Sequence, residues 1–113
     1  PTGIAALQAG GVTMHSMFQL PFGGYLPIEQ NEPILVGDIK FETAGSLRRH
    51  SRMRTEKKQV IRRAEVLVID EVSMVRADLL DAVDNMLRTV RRSAEPFGGL
   101  QVLLVGDMMQ LPP

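Results

Sequence analysis

Residues Val66-Leu67-Val68-Ile69 form an unbroken, mostly β-branched apolar run that ends in two carboxylates, Asp70-Glu71. A run of this kind fits a strand covered on both faces, the situation of a parallel sheet. Downstream, Leu79, Leu80, Val83, Leu87 and Val90 recur at three- and four-residue spacings, which predicts an amphipathic helix over Arg76–Arg92. Asp78 and Asp81 lie in its first half and Arg88, Arg91 and Arg92 near its end, as the helix dipole favours. Pro96-Phe97-Gly98-Gly99 breaks the pattern, and Leu100–Val105 reads as a second buried strand closed by Gly106-Asp107. Strand, helix, strand is a parallel βαβ unit, so the fold class is α/β. Two strands alone make a poor sheet, so this is expected to be a partial domain with missing strands.

The remaining segments read less regularly. Thr2 and the helix-forming stretch Ile4–Ala9 predict a short helix stopped by Gly10-Gly11. Thr13 opens a second short helix, Met14–Leu20, ended by Pro21. Residues 21–55 form a long Pro- and Gly-containing connection with one expected hairpin, Ile34–Val36 against Ile39–Phe41 across Gly37-Asp38. Thr55–Ala64 is predicted as a helix capped by Thr55, with Val60 and Ile61 facing inward. The chain begins at Pro1 without Met and ends at Pro113 within a motif, and both ends read as cut points.

Composition narrows the functional classes. The chain has 113 residues, enough for one domain at most. Cysteine is absent, which excludes disulfides and thiolate metal sites and fits a reducing, intracellular setting. No apolar run is long enough for a membrane span. The net charge of zero hides an asymmetry: between Lys40 and Arg63 nine basic residues face only Glu42 and Glu56. Such a segment suits either a phosphate backbone or a solvated insert.

Three clusters could carry chemistry. Asp70-Glu71 would stand at the carboxyl edge of a parallel sheet, where open α/β sheets bind ligands. In P-loop ATPases such an Asp supports the nucleotide's Mg²⁺ and the adjacent Glu deprotonates the attacking water. The plain alternative is a solvated acidic strand end before a helix. The second cluster is Gly106-Asp107-Met108-Met109-Gln110-Leu111-Pro112-Pro113, where Gln110 offers both a donor and an acceptor to a phosphate. The third is Pro1-Thr2-Gly3-Ile4-Ala5-Ala6 with Gly11-Val12-Thr13-Met14-His15-Ser16, whose hydroxyls and amides suit phosphate contacts. His15 has neither a Cys nor a nearby second His to make a metal site, and such a lone histidine is usually structural.

Together these blocks resemble the PIF (petite integration frequency) family of superfamily 1 DNA helicases, relatives of the RecD subunit. Motif Ia is similar to Pro1–Ala6 through Thr13–Phe18, motif II to Asp70-Glu71-Val72-Ser73-Met74-Val75, and motif III to Gly106–Pro113. The resemblance implies an incomplete RecA-like P-loop NTPase motor domain over 1–113. Residues 1–25 would be the motif Ia region, 26–58 a basic irregular insert, and 59–113 the Walker B and motif III βαβ unit. It implies ATP and Mg²⁺ as cofactors and single-stranded DNA as partner, with 5′-to-3′ movement of the intact enzyme. Asp70 would support Mg²⁺, Asp107 would stand beside the nucleotide, Glu71 would be the general base, and Gln110 would sense the γ-phosphate. Thr2, Gly3, His15 and Ser16 match positions that touch DNA, and Phe18 is placed near a base. An intracellular site follows: cytoplasmic in a bacterium, nuclear or mitochondrial in a eukaryote. None of the ten glycines is followed by Lys, so the Gly-x-x-x-x-Gly-Lys-Ser/Thr loop is absent and the segment alone is expected to be inactive. Exposed sheet edges would favour self-association or strand swapping. Two rival readings are a clamp-loader- or initiator-type ATPase, and a non-enzymatic nucleic-acid module with Arg48–Arg63 as its footprint.

Overall fold

The structure is a computed structural model that describes residues 3–10, 13–21, 23–72 and 75–106. The predicted βαβ unit is present: strand β5 (Val66–Asp70), helix α4 (Ala77–Arg91) and strand β6 (Gln101–Leu104). β5 and β6 are parallel, with Leu67 opposite Val102 and Ile69 opposite Leu104. The other edge of β5 is taken by β1 (Ala6–Gly10), also parallel, in a sheet of order β1-β5-β6. This corrects the helix expected over Ile4–Ala9. Ala, Leu and Gln favour a helix locally, but here Leu7 and Ala9 alternate into the core while their backbone pairs with Leu67 and Ile69. The partner strand lies about sixty residues away and is invisible to local propensity.

One face of the sheet carries the core. Leu67 and Ile69 are fully buried and pack with Val83, Met86 and Leu87 of α4 in a single apolar cluster. Met14 and Phe18 of helix α1 (Thr13–Phe18) join the same cluster. α1 ends earlier than predicted, at Gln19, whose backbone turns left-handed (φ 57°) ahead of Pro21. β6 corrects a second expectation, since it is not buried: Leu103 and Leu104 are about half exposed. Among the described residues only β5 pairs with it, so its outer edge is uncovered.

The stretch expected to be irregular is ordered into a smaller sheet. β3 (Ile34–Val36) and β4 (Ile39–Thr43) form the predicted hairpin around Gly37, whose φ of 61° suits the turn. β2 (Gly24–Leu26) adds to β4 in parallel, a pairing no local pattern announces. Helix α2 (Ala44–His50) follows β4 directly. A capping box starts it: Thr43 Oγ1 accepts the Ser46 N–H (3.2 Å) and Ser46 Oγ accepts the Thr43 N–H (2.8 Å). Both residues are fully buried, and Thr43 Oγ1 also donates to the Gln30 carbonyl at 2.7 Å. This layer is fastened to α4, where Asn85 donates to the Ala44 carbonyl and the Tyr25 N–H to the Asp78 carboxylate.

Helix α3 (Thr55–Arg63) buries Ile61 but leaves Val60 mostly exposed. Its cap residue is Arg54, with no side-chain cap, so the Thr55 cap and the inward Val60 are both corrected. Val60 and Ile61 are neighbours on the helix, about 100° apart around its axis, so turning Ile61 into the core swings Val60 toward solvent. The carboxyl end of α3 is held by Arg91, whose Nη1 donates to the carbonyls of Ile61 (2.8 Å) and Ala64 (2.9 Å). Arg91 Nε donates to Gly98 in the 3₁₀ turn Pro96–Gly99. Gly98 has φ 63°, and a Cβ there would lie 2.7 Å from the Leu87 carbonyl oxygen, so no larger residue fits. No helix among the described residues is long and apolar enough to cross a membrane.

Candidate nucleotide and nucleic-acid edge

Three parallel strands place their carboxyl ends along one edge of the sheet. Gly10 ends β1 opposite Asp70 at the end of β5. The segment leaving β6 is bound to the same place: the Val105 N–H donates to the Ile69 carbonyl (2.8 Å), and the Val72 N–H to the Val105 carbonyl (3.0 Å). The residues following β5 and β6 are therefore hydrogen-bonded neighbours.

Asp70 is half-buried and its Oδ1 accepts the Glu71 N–H at 2.9 Å. Glu71 is exposed and has a left-handed backbone, φ 54°. For a residue with a Cβ this conformation is strained, typically by about 1–3 kcal/mol, and such strain gathers at functional sites. Asp70 is half-buried and Glu71 exposed, so the two carboxylates meet different surroundings and each can serve a different partner. Among the described residues neither has an ion-pair partner. Those residues also contain no cluster of three or more His, Cys, Asp or Glu that could cage a metal. One carboxylate with a free oxygen is instead the donor set suited to Mg²⁺, which keeps waters and takes phosphate oxygens for its other positions.

The predicted DNA-contacting residues divide in three ways. His15 and Ser16 stand on α1, just beyond the carboxyl end of β1, with His15 half-buried and Ser16 exposed. Thr13 Oγ1 donates to the Gly10 carbonyl at 2.6 Å and accepts the Gly10 N–H at 3.0 Å, which fixes where α1 begins. Gly3 is exposed but precedes β1, so the strand's length separates it from Ser16. Phe18 is a correction: it is fully buried against Met14 and the core and has no face open to a base. A helix of six residues with Met14 and Phe18 four apart turns both inward. Thr2, Asp107 and Gln110 lie outside the described residues.

Sequence reasoning missed two supports of this edge. Thr13 reads in the sequence as a helix start with a hydroxyl suited to phosphate, and its bond back to Gly10 is not foreseen, although a Thr three residues after a strand-ending Gly is a usable signal. Lys57 was counted only as charge, yet its Nζ donates to the Ser16 carbonyl at 2.9 Å, tying α3 to α1.

A family model described as PIF1-like helicase matches residues 1–113. The chain is 37% identical over 112 residues to the zebrafish (Danio rerio) ATP-dependent DNA helicase PIF1, covering 99% of this chain and 15% of that protein. It is 35% identical over 117 residues to the human protein of the same name, again covering 99% of this chain and 15% of the relative. The chain thus spans about 15% of the length of these curated relatives. Among solved structures, Bacteroides Pif1 bound to ssDNA superposes with a TM-score of 0.71 at 36% identity, over 99% of this chain and 24% of that one. Bacteroides Pif1 in complex with ADP-AlF3 and ssDNA gives 0.71 at 34% identity, over 100% of this chain and 24% of that one.

Proposed function

This chain belongs to the PIF1-like helicase family, and we propose that it supplies the acid pair and part of the DNA track of an ATP-driven DNA helicase. The observation that carries the reading is Asp70-Glu71 at the carboxyl edge of a parallel sheet, with Glu71 held left-handed. The relatives' names, ATP-dependent DNA helicase, support it.

In this reading Asp70 would hold Mg²⁺. That ion, when bound, neutralises phosphate charge. Glu71 lies one residue further, exposed, and acts on water: its carboxylate orients the attacking molecule and accepts its proton as the oxygen bonds to the γ-phosphorus, while the bond from that phosphorus to the β,γ-bridging oxygen breaks and ADP leaves. Asp107 stands beside the nucleotide, and Gln110 contacts the γ-phosphate. Thr2, Gly3, His15 and Ser16 contact single-stranded DNA, with His15 and Ser16 supported best because α1 begins at the acid-bearing edge. Movement is 5′ to 3′, with roles in DNA repair and recombination. Residues 1–25, 26–58 and 59–113 are assigned to the DNA track, a basic insert and the acid-bearing βαβ unit. The 113 residues include no Gly-x-x-x-x-Gly-Lys-Ser/Thr, so ATP turnover belongs to the full-length protein and not to this segment.

The test is DNA-stimulated ATPase activity of the full-length protein. Glu71→Gln is expected to lower kcat on the order of 10²–10⁴-fold, the usual contribution of a general base, with ATP binding retained. Unchanged turnover in that variant would overturn the assignment. Turnover by the 113-residue segment that Glu71→Gln abolishes would instead support Glu71 and overturn the proposed inactivity of the segment.

A further inference from the structure

The positive charge between residues 48 and 63 divides by what each side chain touches. Arg48 and Arg49 pair with Glu29 and Glu32. Arg62 donates to the Val90 carbonyl. Arg52 reaches only the carbonyl of its neighbour Ser51, at 3.4 Å, and the Arg54 side chain makes no hydrogen bond or ion pair among the described residues.

Burial of one residue sets the direction of both arginines. Met53 is 7% exposed and joins the core. Ser51 and Arg54 have extended backbones, φ −67°, ψ 136° and φ −73°, ψ 155°. Alternate residues of an extended chain face opposite ways, so drawing Met53 inward turns Arg52 and Arg54 out together. Their spacing is on the order of 6–7 Å, close to that of consecutive phosphates along a nucleic-acid strand.

Both line an open cleft of about 500 Å³ with Gln19, Glu56 and Lys57. The cleft lies between the end of α1 and the start of α3. Three cations face one acid there. The first turn of α3 has no side-chain cap, so the positive end of that helix adds to the field. Lys57 joins the cleft to α1 through the Ser16 carbonyl, which also accepts from Gln19 Nε2 at 3.2 Å.

We infer that this cleft is a phosphodiester-binding site that carries a nucleic-acid backbone onward from α1. Arg52 and Arg54 are its principal contacts, since a guanidinium fork matches two phosphate oxygens. The inference rests on the reading of α1 as a DNA-contacting element. The same chemistry admits a phosphate from a single strand or from a duplex arm.

The test is a fluorescence-anisotropy titration of the full-length protein over a series of NaCl concentrations. The probes are a labelled oligothymidylate and a labelled blunt duplex of equal length. Arg52→Gln/Arg54→Gln is compared with wild type and with Arg49→Gln, which removes a paired charge outside the cleft. On the single strand, the double variant is expected to flatten the slope of log Kobs against log[NaCl] by about 1.4, the value for two phosphate contacts. Its affinity should fall about tenfold, with Arg49→Gln close to wild type. Loss confined to oligothymidylate assigns a single strand, and loss confined to the duplex assigns a duplex arm. Double-variant titrations that superimpose on wild type, or an equal loss in Arg49→Gln, overturn the inference alone. A wild-type protein that binds neither probe overturns the DNA-track reading with it.

Discussion

Glu71 joins an exposed carboxylate to a left-handed backbone that only glycine adopts freely. A residue chosen for stability alone would be glycine. Glu71→Gly is therefore expected to raise folding stability by about 1 kcal/mol while abolishing ATP turnover in the full-length protein. Paired thermal unfolding and ATPase assays check this, and a variant no more stable than wild type would mean that the conformation carries no strain. The Asp70-Glu71 pair was legible because an apolar run stops abruptly on two charges. The kink was not, since φ at Glu71 depends on what Val72 binds. Phe18 was misread for a related reason: a motif names a residue, but the helical position relative to Met14 decides which way it faces.

At the scale of elements, caps and partners decided what propensity left open. β1 was read as helix because its partner β5 is far along the chain, whereas the β3–β4 hairpin was readable from Gly37-Asp38 between short β-branched runs. α2 was missed altogether, although Thr43 and Ser46 carry its start. Thr43 is fully buried, bonds the Ser46 amide and donates to Gln30. Thr43→Ala removes the cap and leaves the Gln30 carbonyl without its hydroxyl donor, which should cost about 2 kcal/mol. Thr43→Ser keeps the hydroxyl and should restore most of that. Urea unfolding midpoints for the two variants test the claim, and equal losses would reject the hydroxyl's role.

For the molecule as a whole, acid sensitivity follows from the join between the small sheet and α2. Burial pushes the Glu42 carboxyl up. The Ser46 hydroxyl at 2.7 Å, the Lys40 ammonium and His50 more than offset this, leaving it below its ordinary value. A carboxyl depressed on folding stabilises the native state above its unfolded value, near 4.3, and that contribution is lost as pH falls through the folded value. Stability should therefore decline below about pH 4.3, and Glu42→Gln should flatten this limb in denaturation curves measured between neutral and acid pH. An acid limb identical in the variant would exclude Glu42 as a source. The charge that dominates residues 40–63 was plain in the sequence, but its division into paired and free cations was not. That division required knowing that Met53 is buried and that Glu29 and Glu32 come back to α2.

The hydrogen bond from the Val72 amide to the Val105 carbonyl has a mechanical consequence. It makes the exits of β5 and β6 a single hinge-plate. If the chain beyond Gly106 is pushed or pulled, the strain arrives one residue from Glu71 without crossing the core. A displacement on the far side of the sheet edge can thus be felt as a change in where one carboxylate points.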